Sequence, residues 1–153
     1  MFTLLKWFSK KQPKRIAFID GDQDLPKVLD VYQNHLKGIE THLIRAKQDH
    51  HNAPKLLRKE IAGLNKIYLS GFTAGKEIVD KFIAAYIQDA IINGYTEITV
   101  VSNDFDFIDI FKMAMILNPE VKNVSFKIIV PKGSGRICEV HDNQIANISI
   151  VKL

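Results

Sequence analysis

The stretch RIAFIDGDQDLPKVLDVYQNHLKGIETHLIRA, residues 15–46, decides the fold. It opens with RIAFID (15–20), a short apolar run ending in an acid, which is the pattern of a buried parallel strand. In DLPKVLDVYQNHLKG (24–38) the period changes: Leu25, Val28, Leu29, Tyr32 and Leu36 share one helical face, and Gly38 closes it. IETHLIRA (39–46) is a second strand.

The alternation continues outward. APKLLRKEIA (53–62) reads as a short helix and KIYLS (66–70) as a third strand. KEIVDKFIAAYIQDAIINGY (76–95) is strongly periodic and ends at Gly94. EITVVS (97–102), DFDFIDIFKMAMIL (104–117) and VSFKIIV (124–130) read as strand, helix and strand. A glycine-rich PKGSGR loop leads to a last short strand, ANISIVK (146–152). Strands alternating with helices predict an α/β fold: a three-layer α/β/α sandwich on a mainly parallel sheet of five or six strands. We read residues 1–13 as a basic and apolar N-terminal segment and 14–153 as one domain.

In such a sheet the crossover helices begin at the carboxyl ends of the strands, where sites form. Asp20 and Asp22 follow strand one, and Asp104 and Asp106 follow strand four. Asp80 falls early in the helix after strand three, at the border of its apolar face near Ile83 and Ile87. Three segments thus bring carboxylates to one rim. Their repulsion makes sense around a divalent cation, and hard oxygen ligands suit Mg²⁺ or Mn²⁺. Taken singly, each acid reads as a helix cap or a solvated residue. Ser102 reads as an N-cap, Asp24 as another, and Asp89 and Asp109 as surface acids.

Composition sets the frame. The chain has 153 residues, 46% of them hydrophobic and 25% charged, an ordinary globular balance with room for one core. No run is long enough to span a membrane, and the opening MFTLLKWFSKKQPKR lacks a signal-peptide cleavage pattern. One cysteine, Cys138, excludes an internal disulfide and fits a reducing, cytoplasmic setting. The formal charge is +4, with Lys6, Lys10, Lys11, Lys14 and Arg15 ahead of the first acid. A basic surface beside the acids would suit a polyanion, although, taken alone, those residues read better as a solvated basic tail.

Three motifs carry a resemblance. FIDGDQ (18–23), KEIVD (76–80) and VVSNDFDF (100–107) resemble, in order and spacing, the signatures of NYN domains. These belong to the PIN-like ribonuclease group that includes the LabA-like bacterial proteins. The resemblance covers residues 14 to about 130. It implies a PIN-like fold, Mg²⁺ or Mn²⁺, and hydrolysis of phosphodiester bonds, usually of RNA. It assigns Asp20, Asp80, Asp104 and Asp106 to the acidic site, with Asp20, Asp104 and Asp106 holding metal and Asp80 completing the set or orienting water. Ser102, Gln23 and Lys76 would hold ligands or substrate. The departures are Gln23 where the family has Asn, Asn103 for a Gly, the extra Asp22, and Tyr86–Ile87 where a second helix acid is often found.

Two other readings compete. A haloacid-dehalogenase-like phosphatase would use IDGD (19–22), with Asp20 as nucleophile, Ser70, Lys76, and Asp104 with Asp106 as metal acids. It leaves Asp80 without a role. A non-catalytic PIN-like module that holds RNA or a protein gains nothing from concentrated negative charge. His50, His51 and His141 lack zinc-ligand spacing. Phe2, Leu4, Leu5, Trp7 and Phe8 are too apolar for a free tail; packing on the domain or forming a homodimer suits them better than a membrane surface. Lys132 and Arg136, with the basic opening, would contact flanking phosphates if the substrate is a nucleic acid, and read at least as well as solvated surface residues.

Overall fold

Six strands form one sheet in the order β3-β2-β1-β4-β5-β6, and every neighbouring pair is parallel. The computed structural model describes residues 11–46, 54–69, 77–133 and 147–153. Along the chain they give β1 (Arg15–Asp20), α1 (Leu25–His35), β2 (Glu40–Arg45), α2 (Lys55–Arg58), β3 (Leu64–Tyr68), α3 (Ile78–Ile92), β4 (Glu97–Val101), α4 (Asp106–Leu117), β5 (Ser125–Val130) and β6 (Ile148–Lys152). All ten elements answer to those read from the pattern, and the sheet is wholly parallel where a mainly parallel one was expected. The expected three-layer sandwich is therefore present, in an arrangement consistent with a PIN-like fold.

The period-2 alternation of β1 divides the core. Ile16 and Phe18 face α3 and α4, packing with Val79, Ile83, Ile87, Phe107 and Phe111. Ala17 and Ile19 face the opposite side, against Val28, Leu29 and Tyr32 of α1 and Leu57 of α2. On the first face Phe111 stacks on Phe126, with ring centroids 4.6 Å apart. By the same alternation, Asp20 continues the row of Ile16 and Phe18 and faces α3. That places a carboxylate at the end of an apolar row.

Helix starts follow local chemistry. Asp24 is the N-cap of α1, its Oδ1 accepting from Lys27 N at 3.4 Å, with Pro26 in the first turn. Gly38 and Gly94 adopt positive φ just beyond the ends of α1 and α3. The reading of Ser102 as an N-cap is corrected: the N-cap of α4 is Phe105, with no side-chain capping bond. β4 ends at Val101 and α4 begins only at Asp106, so a turn intervenes. In it Ser102 Oγ accepts from Asp104 N at 3.0 Å, and Asp104 Oδ1 accepts from Asp106 N at 2.9 Å. No helix among the described residues is long and apolar enough to cross a membrane.

Candidate functional site

The order β3-β2-β1-β4 makes β1 and β4 neighbours whose following helices lie on opposite faces of the sheet. A crevice opens where connections diverge in this way, at the carboxyl ends of the two strands. Asp20 ends β1, and Ser102, Asn103 and Asp104 follow β4.

Gly21 makes the turn after Asp20 possible. Its N–H donates to Ile44 O at 2.7 Å, and a Cβ there would stand 2.7 Å from that oxygen and 2.8 Å from Leu43 Cδ2. Only glycine lets the loop press so closely on β2. Asp22 then turns back, its Oδ1 accepting from Ala46 N at 3.2 Å just beyond β2. The extra acid thus secures the neighbouring strand end. The buried Arg45 Nη1 donates to Gly21 O at 2.7 Å and holds the same turn from beneath.

Asp20 is buried, and burial pushes its carboxyl above the ordinary carboxylate range. Two donors pull the other way: Asp22 N to Oδ1 at 3.0 Å and Gln23 Nε2 to Oδ2 at 3.3 Å. Gln23 Nε2 also lies 2.9 Å from Ser102 Oγ and 2.7 Å from Asn103 Oδ1. One amide therefore joins the β1 loop to the β4 loop. Two of the departures from the NYN pattern meet here, the longer amide of Gln23 reaching a carbonyl that a glycine at 103 would not offer. Ser102 is fully buried, and its hydroxyl is engaged by Gln23 and Asp104 N, so it braces the loop.

Asp80 stands in the first turn of α3, half-buried, one residue after the buried Val79. Its carboxyl is pushed up to about 7, first by burial, then by the charges of Asp20 and Asp104, a hydrogen bond with Asp104, and the charge of Asp106. The four acids singled out in the sequence therefore share one electrostatic environment. Among the described residues, however, no three acidic, histidine or cysteine side chains are arranged to hold a metal ion as they stand. The donor types still suit a hard cation, because every acid of the set offers carboxylate oxygens and Asp20, Asp104 and Asp106 all act electrostatically on Asp80. Where a second helix acid is often found in the family, Tyr86 stacks on Phe18 at 5.7 Å and Ile87 is fully buried.

Asp109 lies away from the group: it is exposed and pairs with Lys112 at 3.9 Å. Asp89 is exposed too. The described part of the basic opening does not flank the acids. Lys14 and Arg15 sit at the start of β1, roughly 17 Å along the strand from Asp20 at about 3.3 Å per residue. Arg15 is paired there with Glu97 at 3.1 Å. Lys76, Ser70, Cys138, Arg136, His50, His51, His141 and residues 1–10 lie outside the described residues.

Sequence reasoning missed Lys27. Beside the acids is an open cleft of about 330 Å³ lined by Asp22, Gln23, Asp24, Lys27, Val28, Asn103 and Pro131. A lysine in the first turn of a helix opposes the helix dipole, and that misplacement was the available signal. Lys132 is exposed just beyond Pro131. Compared with known protein families, curated proteins and solved structures, the chain matches none.

Proposed function

We propose that the chain is a metal-dependent nuclease that hydrolyses phosphodiester bonds, with RNA as the first substrate to test. One observation carries the reading: Asp20, Asp80, Asp104 and Asp106 come from three separated segments to the switch point, where burial first and then the other three acids push the Asp80 carboxyl up to about 7. Such a concentration of acid is costly to the apo fold, and a structural cap would need only one of them.

Asp20, Asp104 and Asp106 would hold Mg²⁺ or Mn²⁺, which supplies activation of water and neutralisation of charge at phosphorus when bound. Asp80 shares a hydrogen bond with Asp104, and its carboxyl is pushed up to about 7 when no cation is present. Gln23 fixes the rotation of Asp20 and ties it to the Ser102–Asn103 turn, so the acids of β1 and β4 keep one spacing. Lys27, whose ammonium stands 3.8 Å from the Asp24 carboxylate, and the exposed Lys132 would offer cations to flanking phosphates. The covalent phosphatase reading is less well supported, because Asp22 holds the Ala46 N–H and Asp80 would have no task.

The test is cleavage of labelled single-stranded and structured RNA and DNA in Mg²⁺, Mn²⁺ or EDTA. The expected result is metal-dependent cutting, with RNA preferred, that EDTA abolishes. No cutting under any metal would favour a binding module. Rapid hydrolysis of p-nitrophenyl phosphate, with beryllofluoride trapped on Asp20, would favour the phosphatase.

A further inference from the structure

The later turns of α3 and α4 carry exposed apolar side chains. Ile92 is 65% exposed, and Met113, Ile116 and Leu117 are 61%, 76% and 69% exposed. On α4 the latter three follow i, i+3, i+4 spacing, on the side away from the buried Phe107, Phe111 and Ala114. Both helices start at the acid edge and return the chain to the beginning of a parallel strand, and they pack against each other. The stripe therefore lies at the edge opposite the acids. Apolar side chains gathered in this way mark a contact surface.

The described residues enter β1 from that same edge. Lys14 O accepts from Thr96 N at 2.9 Å and Glu97 N at 3.2 Å, and Lys14 Nζ donates to Asn93 O at 3.1 Å. The ammonium also stands 4.1 Å from the centre of the Tyr95 ring. Lys14 is thus tied to the turn that directly follows Ile92. Only Lys11, Gln12 and Pro13 separate it from residues 1–10, MFTLLKWFSK, whose Phe2, Leu4, Leu5, Trp7 and Phe8 make this the most aromatic-rich end of the chain. Ten residues reach about 33 Å when extended and about 15 Å as a helix. Packed helix axes lie about 8–10 Å apart, so the stripe on α4 is within reach from the end of α3.

We propose that residues 1–10 cover Met113, Ile116 and Leu117 of the chain that carries them. The short tether favours this occupant over a second copy, because it sets an effective concentration on the order of millimolar. The apolar residues of the segment match the stripe, while Lys6 and Lys10 can stay in water. This inference does not depend on the nuclease reading.

Trp7 is the only tryptophan, so its fluorescence reports this contact directly. The experiment compares acrylamide quenching in the full chain with that in an Ile116→Gln, Leu117→Lys double variant. Both positions are exposed, and circular dichroism verifies the fold of the variant. The expected result is a blue-shifted, protected indole in a monomeric wild type, with quenching several-fold stronger in the variant. An equally open indole in both proteins would overturn the proposal. So would protection that grows with protein concentration, which indicates a dimer, or protection that appears only with phosphatidylglycerol vesicles, which indicates a lipid surface.

Discussion

Asp104 and Asp109 belong to one short stretch yet live in different surroundings. Asp104 spends one oxygen on Asp106 N at 2.9 Å and shares a hydrogen bond with Asp80, while Asp109 has an exposed side chain beside Lys112. Asp104→Asn and Asp106→Asn should therefore each reduce metal-dependent cleavage by at least about 100-fold, the upper end for residues that merely support a metal ligand. Asp109→Asn should leave it nearly unchanged, and equal effects at all three positions would refute the assignment. Asp80 makes a prediction in pH. Its carboxyl titrates near 3.8 in an unfolded chain and is pushed up to about 7 in the fold, so between those values the folded state binds more protons. Its stabilising contribution is complete below about pH 4 and is lost as pH rises through about 7. Melting curves in EDTA should show that decline, and Asp80→Asn should flatten it and add about 1 kcal/mol above pH 7, a figure reduced for its partial exposure. A variant with an unchanged slope would show that Asp80 does not titrate in this way. Asp80 was legible from helical phase alone. The turn built on Ser102 was not, because its hydroxyl chooses among caps and turns according to where β4 happens to end.

Among the elements, the strength of the apolar pattern determined how well each could be read from sequence. β1 and β4, buried on both faces over most of their length, were legible almost to the residue, and so was β5, although Ser125 and Lys127 are exposed on one face of it. β3 lies at the sheet edge and starts at Leu64, earlier than the KIYLS reading, because Asn65 and Lys66 interrupt its run. Lys66 Nζ there reaches Leu57 O at 2.8 Å and also Lys59 O, closing the end of α2 through a contact that no local pattern announces. The loop between β1 and α1 has the same character. Gly21 follows a strand like many turn glycines, but its φ is not positive and its requirement is purely one of space. Gly21→Ala should thus destabilise the protein by about 1–3 kcal/mol, the usual cost of forcing atoms into a packed site. It should also weaken cleavage, because displacing the loop moves Asp20 and Gln23 together. Urea denaturation measures the first effect. A variant as stable as the parent would show that the β2 backbone gives way freely.

At the scale of the molecule, the two edges of the sheet have opposite characters. The carboxyl edge gathers the acids that act on Asp80, and the other edge balances Lys14 and Arg15 against Glu40 and Glu97 beside the apolar ends of α3 and α4. Separation of this kind follows from an all-parallel sheet, in which every strand end and every helix start share one rim. Which strands would be neighbours was beyond a pattern reading, since apolar runs of similar length do not identify their partners; the grouping of the acids at one rim needed only the rule that crossover helices begin at the carboxyl ends of parallel strands. Clustered acids store repulsion that a cation would release, and that energy should appear in the stability of the whole fold. A ligand at 100 times its Kd adds about 2.7 kcal/mol to the native state. For a domain of this size each kcal/mol moves Tm by roughly 2–4 °C, so saturating Mn²⁺ or Mg²⁺ should raise Tm by about 5–10 °C. EDTA should reverse the shift, and Asp20→Asn and Asp104→Asn should each remove most of it. Because the variants lose a repelling charge, their metal-free Tm should equal or exceed that of the parent. An ordinary structural carboxylate would behave in the opposite way, losing stability when neutralised. No rise at millimolar metal, together with a lower Tm in both variants, would mean that the four acids serve the fold and not a cation.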